Sequence, residues 1–229
     1  MALSFDINRS QFALFCQVDL EDKLTLAAAL RNTDRARFDG DPVFLPSVPD
    51  APPEIPGVIL QSRDGNKTLS VSSSRVDTTA NYDSGAFDDI RSLLQTEANF
   101  LTSLAETLSG SDQVSNSINR IGMMVALSAN LGDSELAHVR SQFLHVGFGL
   151  GQDRLELGFL DRQQWETLEV NRWFRATTMY QGSGTGLLEI VLDFNTVPQA
   201  DRIITEDEIA LFLETIKSRA DEEMKVFNA

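Results

Sequence analysis

Cysteine and histidine are nearly absent from this chain. Cys16 is the only cysteine, so no intrachain disulfide can form, and its place in the apolar stretch 12–20 predicts a buried, inert thiol in a reducing compartment. A nucleophilic Cys16 would need a base brought from elsewhere, since neither histidine is close in sequence. His138 and His145, the only histidines, fall short of a closed zinc site. Long apolar runs are missing too: nothing approaches the roughly 20 residues that span a bilayer. The opening MALSFDINRSQF lacks the basic and apolar regions of a secretory signal, so a soluble, cytoplasmic protein is expected. There is no GxSxG elbow and no HExxH helix. The glycines Gly182, Gly184 and Gly186 precede strand-like Leu187 and Leu188 with no Walker lysine, which reads as a hairpin turn and not a phosphate loop. No catalytic residue, cofactor or metal is expected from these patterns.

Basic residues are also scarce. Nineteen Lys and Arg against 34 Asp and Glu give a formal charge of −15. The excess is spread, with −7 over residues 1–110 and −8 over 111–229. Such a surface repels phosphate backbones and anionic lipid and favours basic partners, so neither direct nucleic-acid binding nor membrane association is expected.

What is present is core-forming sequence: 42% of 229 residues are apolar, enough to bury a sizeable interior. Phe12, Leu14, Cys16, Val18 and Leu20 alternate as in a strand, with Ala13 and Phe15 partly covering the second face. Asp22 caps a short helix over 23–31. Residues 39–57 hold six of the seven prolines, which predicts an extended connection pinned to the body by Val43, Phe44 and Leu45. Residues 58–61 and 68–71 flank Asp64-Gly65-Asn66, a type I′ hairpin signal, and the polar run that follows reads as an edge strand and then a loop.

The strongest periodicity lies over 87–108, where Phe87, Ile90, Leu94, Leu101, Leu104 and Leu108 form a helical stripe with Gly110 at its end. Phe100 falls toward the margin of that stripe. Ile118, Ile121, Met123, Val125 and Leu127 predict a core strand in which Gly122 marks a bulge or close approach. A short helix follows to Phe143, then a turn region at Gly147, Gly149 and Gly151. Next come a strand turning near Asp161, a long strand through Tyr180, and a returning strand over 188–194. Thr205 and Glu208 form a capping box for a final helix over 209–227.

The expected fold is α+β, with two strand clusters of mostly antiparallel sheet, each followed by a long amphipathic helix on one face. The expected organisation is an N-terminal half, 1–110, and a C-terminal half, 111–229, packed as one compact body.

The best candidate surface is WETLEVNRWFR, residues 165–175. It interleaves Trp165 and Trp173 with Glu169, Arg172 and Arg175, and Trp and Arg dominate binding hot spots because they bury apolar area while keeping a polar contact. Arg120, at the entrance of a core strand beside Gly122, is suited to pairing with a carboxylate or binding an anionic group.

Three segments together resemble a sporadically distributed bacterial family of uncharacterised proteins: the proline-rich approach to the SRDG turn ending near Arg75, the NRIG segment at 119–122, and LDFN at 192–195 before the final helix. The similarity runs from about Pro52 to the end. After NRIG the chain continues MMVALSANL, where the family carries an aromatic residue and an asparagine. The family's scattered distribution implies proteins that travel with mobile or defence-related genes. With no catalytic pattern, an aromatic-Arg strand and strong acidity, the leading expectation is a non-enzymatic protein-binding or accessory protein, a subunit or immunity factor. The alternatives are a hydrolase assembled from Asp193, Asp201 or Arg120, and a structural homo-oligomer joined by a helix stripe or an uncovered sheet edge.

Overall fold

Alternation of apolar and polar residues builds strands here in two runs, and each run ends in a 20-residue helix. In the computed structural model, which describes residues 3–46, 50–114, 118–143, 154–182, 185–199 and 202–225, the order is β1 Asp6–Phe15, α1 Lys23–Thr33, β2 Val43–Phe44, β3 Val58–Gln61, β4 Lys67–Val71, β5 Arg75–Asn81 and α2 Ile90–Ser109, then β6 Arg120–Leu131, α3 Asp133–Phe143, β7 Arg154–Trp165, β8 Leu168–Gly182, β9 Thr185–Thr196 and α4 Glu206–Lys225. The fold is mixed α+β.

The strands form one nine-stranded sheet in the order β2-β3-β4-β5-β1-β6-β9-β8-β7, with every described pairing antiparallel. Apart from the short β2, the second half repeats the element order of the first, and β1 meets its counterpart β6 antiparallel at the seam. Instead of two strand clusters there is a single sheet, because the backbone donors of β1 and β6 satisfy each other across the seam and leave no edge there.

Period-2 patterning sorts the sheet into two faces. In β6 and β9 alternate side chains are buried throughout, from Ile121 to Leu131 and from Gly186 to Thr196. Their apolar members join the buried stripes of the helices in one core, including Leu94, Leu101 and Leu104 of α2 and Ile209, Phe212 and Ile216 of α4. The opposite face of the sheet is half-buried to exposed over most of its length.

Several expectations change for physical reasons. Phe87 lies before α2, whose N-cap is Asp89, and packs edge-on against Tyr82. Val43 and Phe44 are exposed; the proline segment is held instead through its backbone, by the β2–β3 pairing and by Lys23 Nζ donating to the Leu45 carbonyl. In the 58–71 hairpin only Gly65 has positive φ, so the turn is a longer loop closed by Ser62 N–H donating to the Lys67 carbonyl. The polar run after it is no edge: β5 lies between β4 and β1. Phe100 is buried under the Arg37 guanidinium, 4.1 Å from its ring centre. The bulge falls between Ile7 and Arg9 and not at Gly122, where an added Cβ would make only ordinary contact, 3.5 Å from Asn195 Cβ. The turn expected near Asp161 is at Glu166 and Thr167, because β7 runs on to Trp165. Gly147, Gly149, Gly151, His145, Gly184, Asp201 and Phe227 lie outside the described residues.

Candidate functional site

The open face of the sheet gathers the polar and aromatic residues into cross-strand rows. At one end of the seam Arg75, Phe15 and Arg120 stand side by side on β5, β1 and β6. The next row reads Asp77, Ala13, Gly122, Asn195, Asn171 and Arg162, and the one after it Thr79, Gln11, Met124, Asp193, Trp173 and Leu160. Ala13 opposite Gly122 leaves the middle of the seam without bulk. The result is a shallow depression of about 170 Å³, lined by Phe15, Arg75, Asp77, Arg120, Asp193 and Asn195 among others.

Hydrogen bonds link several of these side chains. Arg120 Nη2 donates to Asn195 Oδ1 at 3.0 Å, and Asn195 Nδ2 in turn donates to Asp193 Oδ1 at 3.2 Å. The Arg120 guanidinium lies 4.6 Å over the Phe15 ring, an attraction to the negative face of the aromatic system. Its Nε is buried without an acceptor. Among the described residues no carboxylate lies within ion-pairing distance of Arg120, whereas Arg75 has one: its Nε sits 2.7 Å from Asp77 Oδ2. That contact is ionic, since Arg75 Nε is not aimed along a hydrogen-bond direction. Gln11 Nε2 donates to the other oxygen of Asp77 at 3.3 Å.

Among the described side chains, charge on this face is nearly balanced. Arg9, Arg75, Arg120, Arg162 and Arg175 share it with Asp6, Asp77, Glu156, Glu169, Glu189 and Asp193. The excess behind the −15 therefore lies almost wholly elsewhere. Trp173 is 41% exposed beside Leu160 at 62%, with the Arg175 guanidinium 5.8 Å from its ring centre and Arg175 Nε 3.8 Å from Glu156.

Of the residues singled out in sequence, Arg120, Glu169, Trp173 and Arg175 come together on this face. Two do not. Trp165 pairs with Leu168 across the two-residue turn, where Glu166 has φ 50°, so it shares Leu168's face and is buried against Phe194 and Phe212 at 5.8 and 5.9 Å. The two residues between β7 and β8 put Trp165 out of step with the alternation of Glu169, Trp173 and Arg175. Arg172 falls on the helix-bearing face and pairs with Asp161 at 3.0 Å. Phe15, Arg75, Asp77 and Asn195 were missed; the partly apolar second face of the first strand was the signal for Phe15, while the others depend on the joining of β5, β1, β6 and β9.

The remaining sequence features are placed as follows. Cys16 is buried, and burial pushes its thiol up to about 12. Gly182 pairs with Thr185 in the β8–β9 hairpin. His138 is half-buried on α3, and among the described residues no three His, Cys, Asp or Glu side chains converge as metal ligands. No described helix is long and apolar enough to cross a membrane. Asp193 and Arg120 are linked through Asn195. No family model matches the chain, and no curated protein matches it.

Proposed function

We propose that this is a non-enzymatic protein-binding or accessory protein whose contact surface is the open face of the sheet, with Trp173 and Arg175 as anchors and Arg120 as a receptor for a partner's carboxylate. The observation that carries this reading is Trp173, a large aromatic side chain left 41% exposed beside exposed Leu160. Exposed Trp with neighbouring Arg is the chemistry of binding hot spots, because the pair desolvates well and still finds polar partners. Arg120 adds direction: its guanidinium is held in place by Asn195 and Phe15 but has no carboxylate among the described residues. In this reading the chain is a cytoplasmic subunit or immunity factor, linked to mobile or defence-related genes. The two halves, 1–110 and 111–229, act in this reading as one compact body, with each long helix supporting the sheet from behind.

The test is capture of partners by the tagged chain in cells that carry its gene, followed by reconstitution with the purified partner. Trp173→Ala with Arg175→Ala should weaken binding by roughly 30-fold or more, the scale of a hot spot, while circular dichroism stays unchanged. Failure to recover a reproducible partner, or equal binding by the double variant, overturns the reading.

A further inference from the structure

The two edges of the sheet are built differently. β2 has only two residues, with Pro42 before it and Pro46 shortly after, and proline carries no N–H to offer a further strand. β7 has twelve residues and no proline, and among the described residues its only strand neighbour is β8. Both of its faces carry exposed apolar side chains, Phe159 at 56% and Leu160 at 62%. A long apolar edge with unpaired backbone groups is a template for another strand.

We propose that β7 pairs antiparallel with β7 of a second copy of this chain, about a two-fold axis through Phe159. The side chains select the occupant and the register. With Phe159 opposite its own copy, Glu156 stands opposite the second copy's Arg162, and Leu160 stands opposite the second copy's Gly158, which leaves room for it. Both charged side chains are accessible, Glu156 49% and Arg162 61% exposed. Centring the pair on Gly158 puts Glu156 against Leu160, and centring it on Leu160 puts Glu156 against Gln164 and Gly158 against Arg162. Only the Phe159-centred register of the three joins opposite charges, and a two-fold axis makes that pairing twice. Charges that guard an edge against its own copy would meet like with like; here they meet unlike. The dimer would merge two sheets and bring the Leu160–Trp173 strips of both open faces together across the axis. This inference does not rest on the proposed partner surface.

The full chain provides the test. Sedimentation over a concentration series should move from 25.3 kDa to twice that mass. Phe159→Cys should form a disulfide-linked dimer on mild oxidation, because opposed Cβ atoms lie about 4.5–5.5 Å apart; Leu157→Cys, which would face the second copy's Asp161, should not. Buried Cys16 does not compete. Glu156→Arg should weaken the dimer roughly tenfold, the scale of two lost cross-strand pairs, and adding Arg162→Glu should restore it. A monomeric mass at every concentration overturns the dimer. Equal cross-linking at 157, or a double reversal no tighter than the single one, overturns the register and with it the pairing as proposed.

Discussion

In the first half of the sheet the closing helix α2 is tied to the body by a buried ion pair, whereas in the second half α4 is tied by a tryptophan. Arg37, between α1 and β2, and Glu97 of α2 are 7% and 4% exposed and bond in bidentate fashion, with Nη1 donating to Oε1 at 3.0 Å. Tyr82 donates to the same carboxylate at 3.3 Å and meets Ser10 at 2.8 Å. Burial first, and then the Glu97 charge, raise the Tyr82 phenol well above its ordinary value. In the second half, Trp165 lies between Phe194 of β9 and Phe212 of α4, with the Arg219 guanidinium 5.3 Å from its ring centre. One element order thus accommodates a polar clamp and an apolar stack, and the two should fail differently. A clamp fails when one partner is lost, because the other is left charged and dry. A stack fails in proportion to the volume removed.

The largest effect follows from the clamp. Glu97→Ala should destabilise the chain by about 4 kcal/mol, because it strands the Arg37 guanidinium over Phe100 without a counter-charge. Replacing both partners, Arg37→Met with Glu97→Leu, should recover most of that loss, since a well-packed apolar pair of similar volume is often neutral. Urea denaturation midpoints at equal slope give both numbers. A single variant costing under about 1 kcal/mol would remove the clamp from the account.

Next comes the stack. Trp165→Ala should cost about 3 kcal/mol and Trp165→Phe markedly less, following the volume taken from the contact with Phe194 and Phe212. No second substitution should rescue Trp165→Ala the way the paired change rescues Glu97→Ala. If one did, the contrast between the halves would fail.

Local chemistry was legible in the sequence wherever one residue dictates its neighbour. Asp22 caps α1 by accepting from Thr25 N–H, and the stripes of α2 and α4 follow from period alone, with their starts shifted by a few residues. What could not be read was the joining of distant strands. Nothing local says that Arg120 will lie opposite Phe15 or that Asn195 will bridge it to Asp193. The Arg37–Glu97 clamp was missed for the same reason: each reads as a solvated surface charge until α1 and α2 are packed together. Trp165 was misplaced by one turn, because two residues inserted between strands reset the face on which every later side chain falls.

The helix caps extend the contrast at a smaller scale. The box at the start of α2 joins Asp89 and Ser92. That of α4 reaches further: Glu208 accepts from the Thr205 N–H at 3.1 Å and also from the Thr167 hydroxyl in the β7–β8 turn at 2.8 Å, with Arg202 pairing to the same oxygen. Burial alone would raise the Glu208 carboxyl, but the bonds from Thr167, the Thr205 N–H and Arg202 more than offset it and hold it below the ordinary 4.5. A carboxyl depressed in the folded chain contributes stability above its unfolded value, and that stability is lost as pH falls through the folded value. Glu208→Gln should therefore cost about 1 kcal/mol near pH 7, the scale of a lost cap interaction. The gap to the parent should close as the pH is taken below 4.5, where the parent's own Glu208 takes up a proton and becomes a neutral acceptor like the amide. Thermal unfolding of both chains from pH 7 to pH 3 measures the difference directly. A gap that stayed constant across that range would mean the carboxylate's charge contributes nothing, and that α4 is seated on the β7–β8 turn by shape alone.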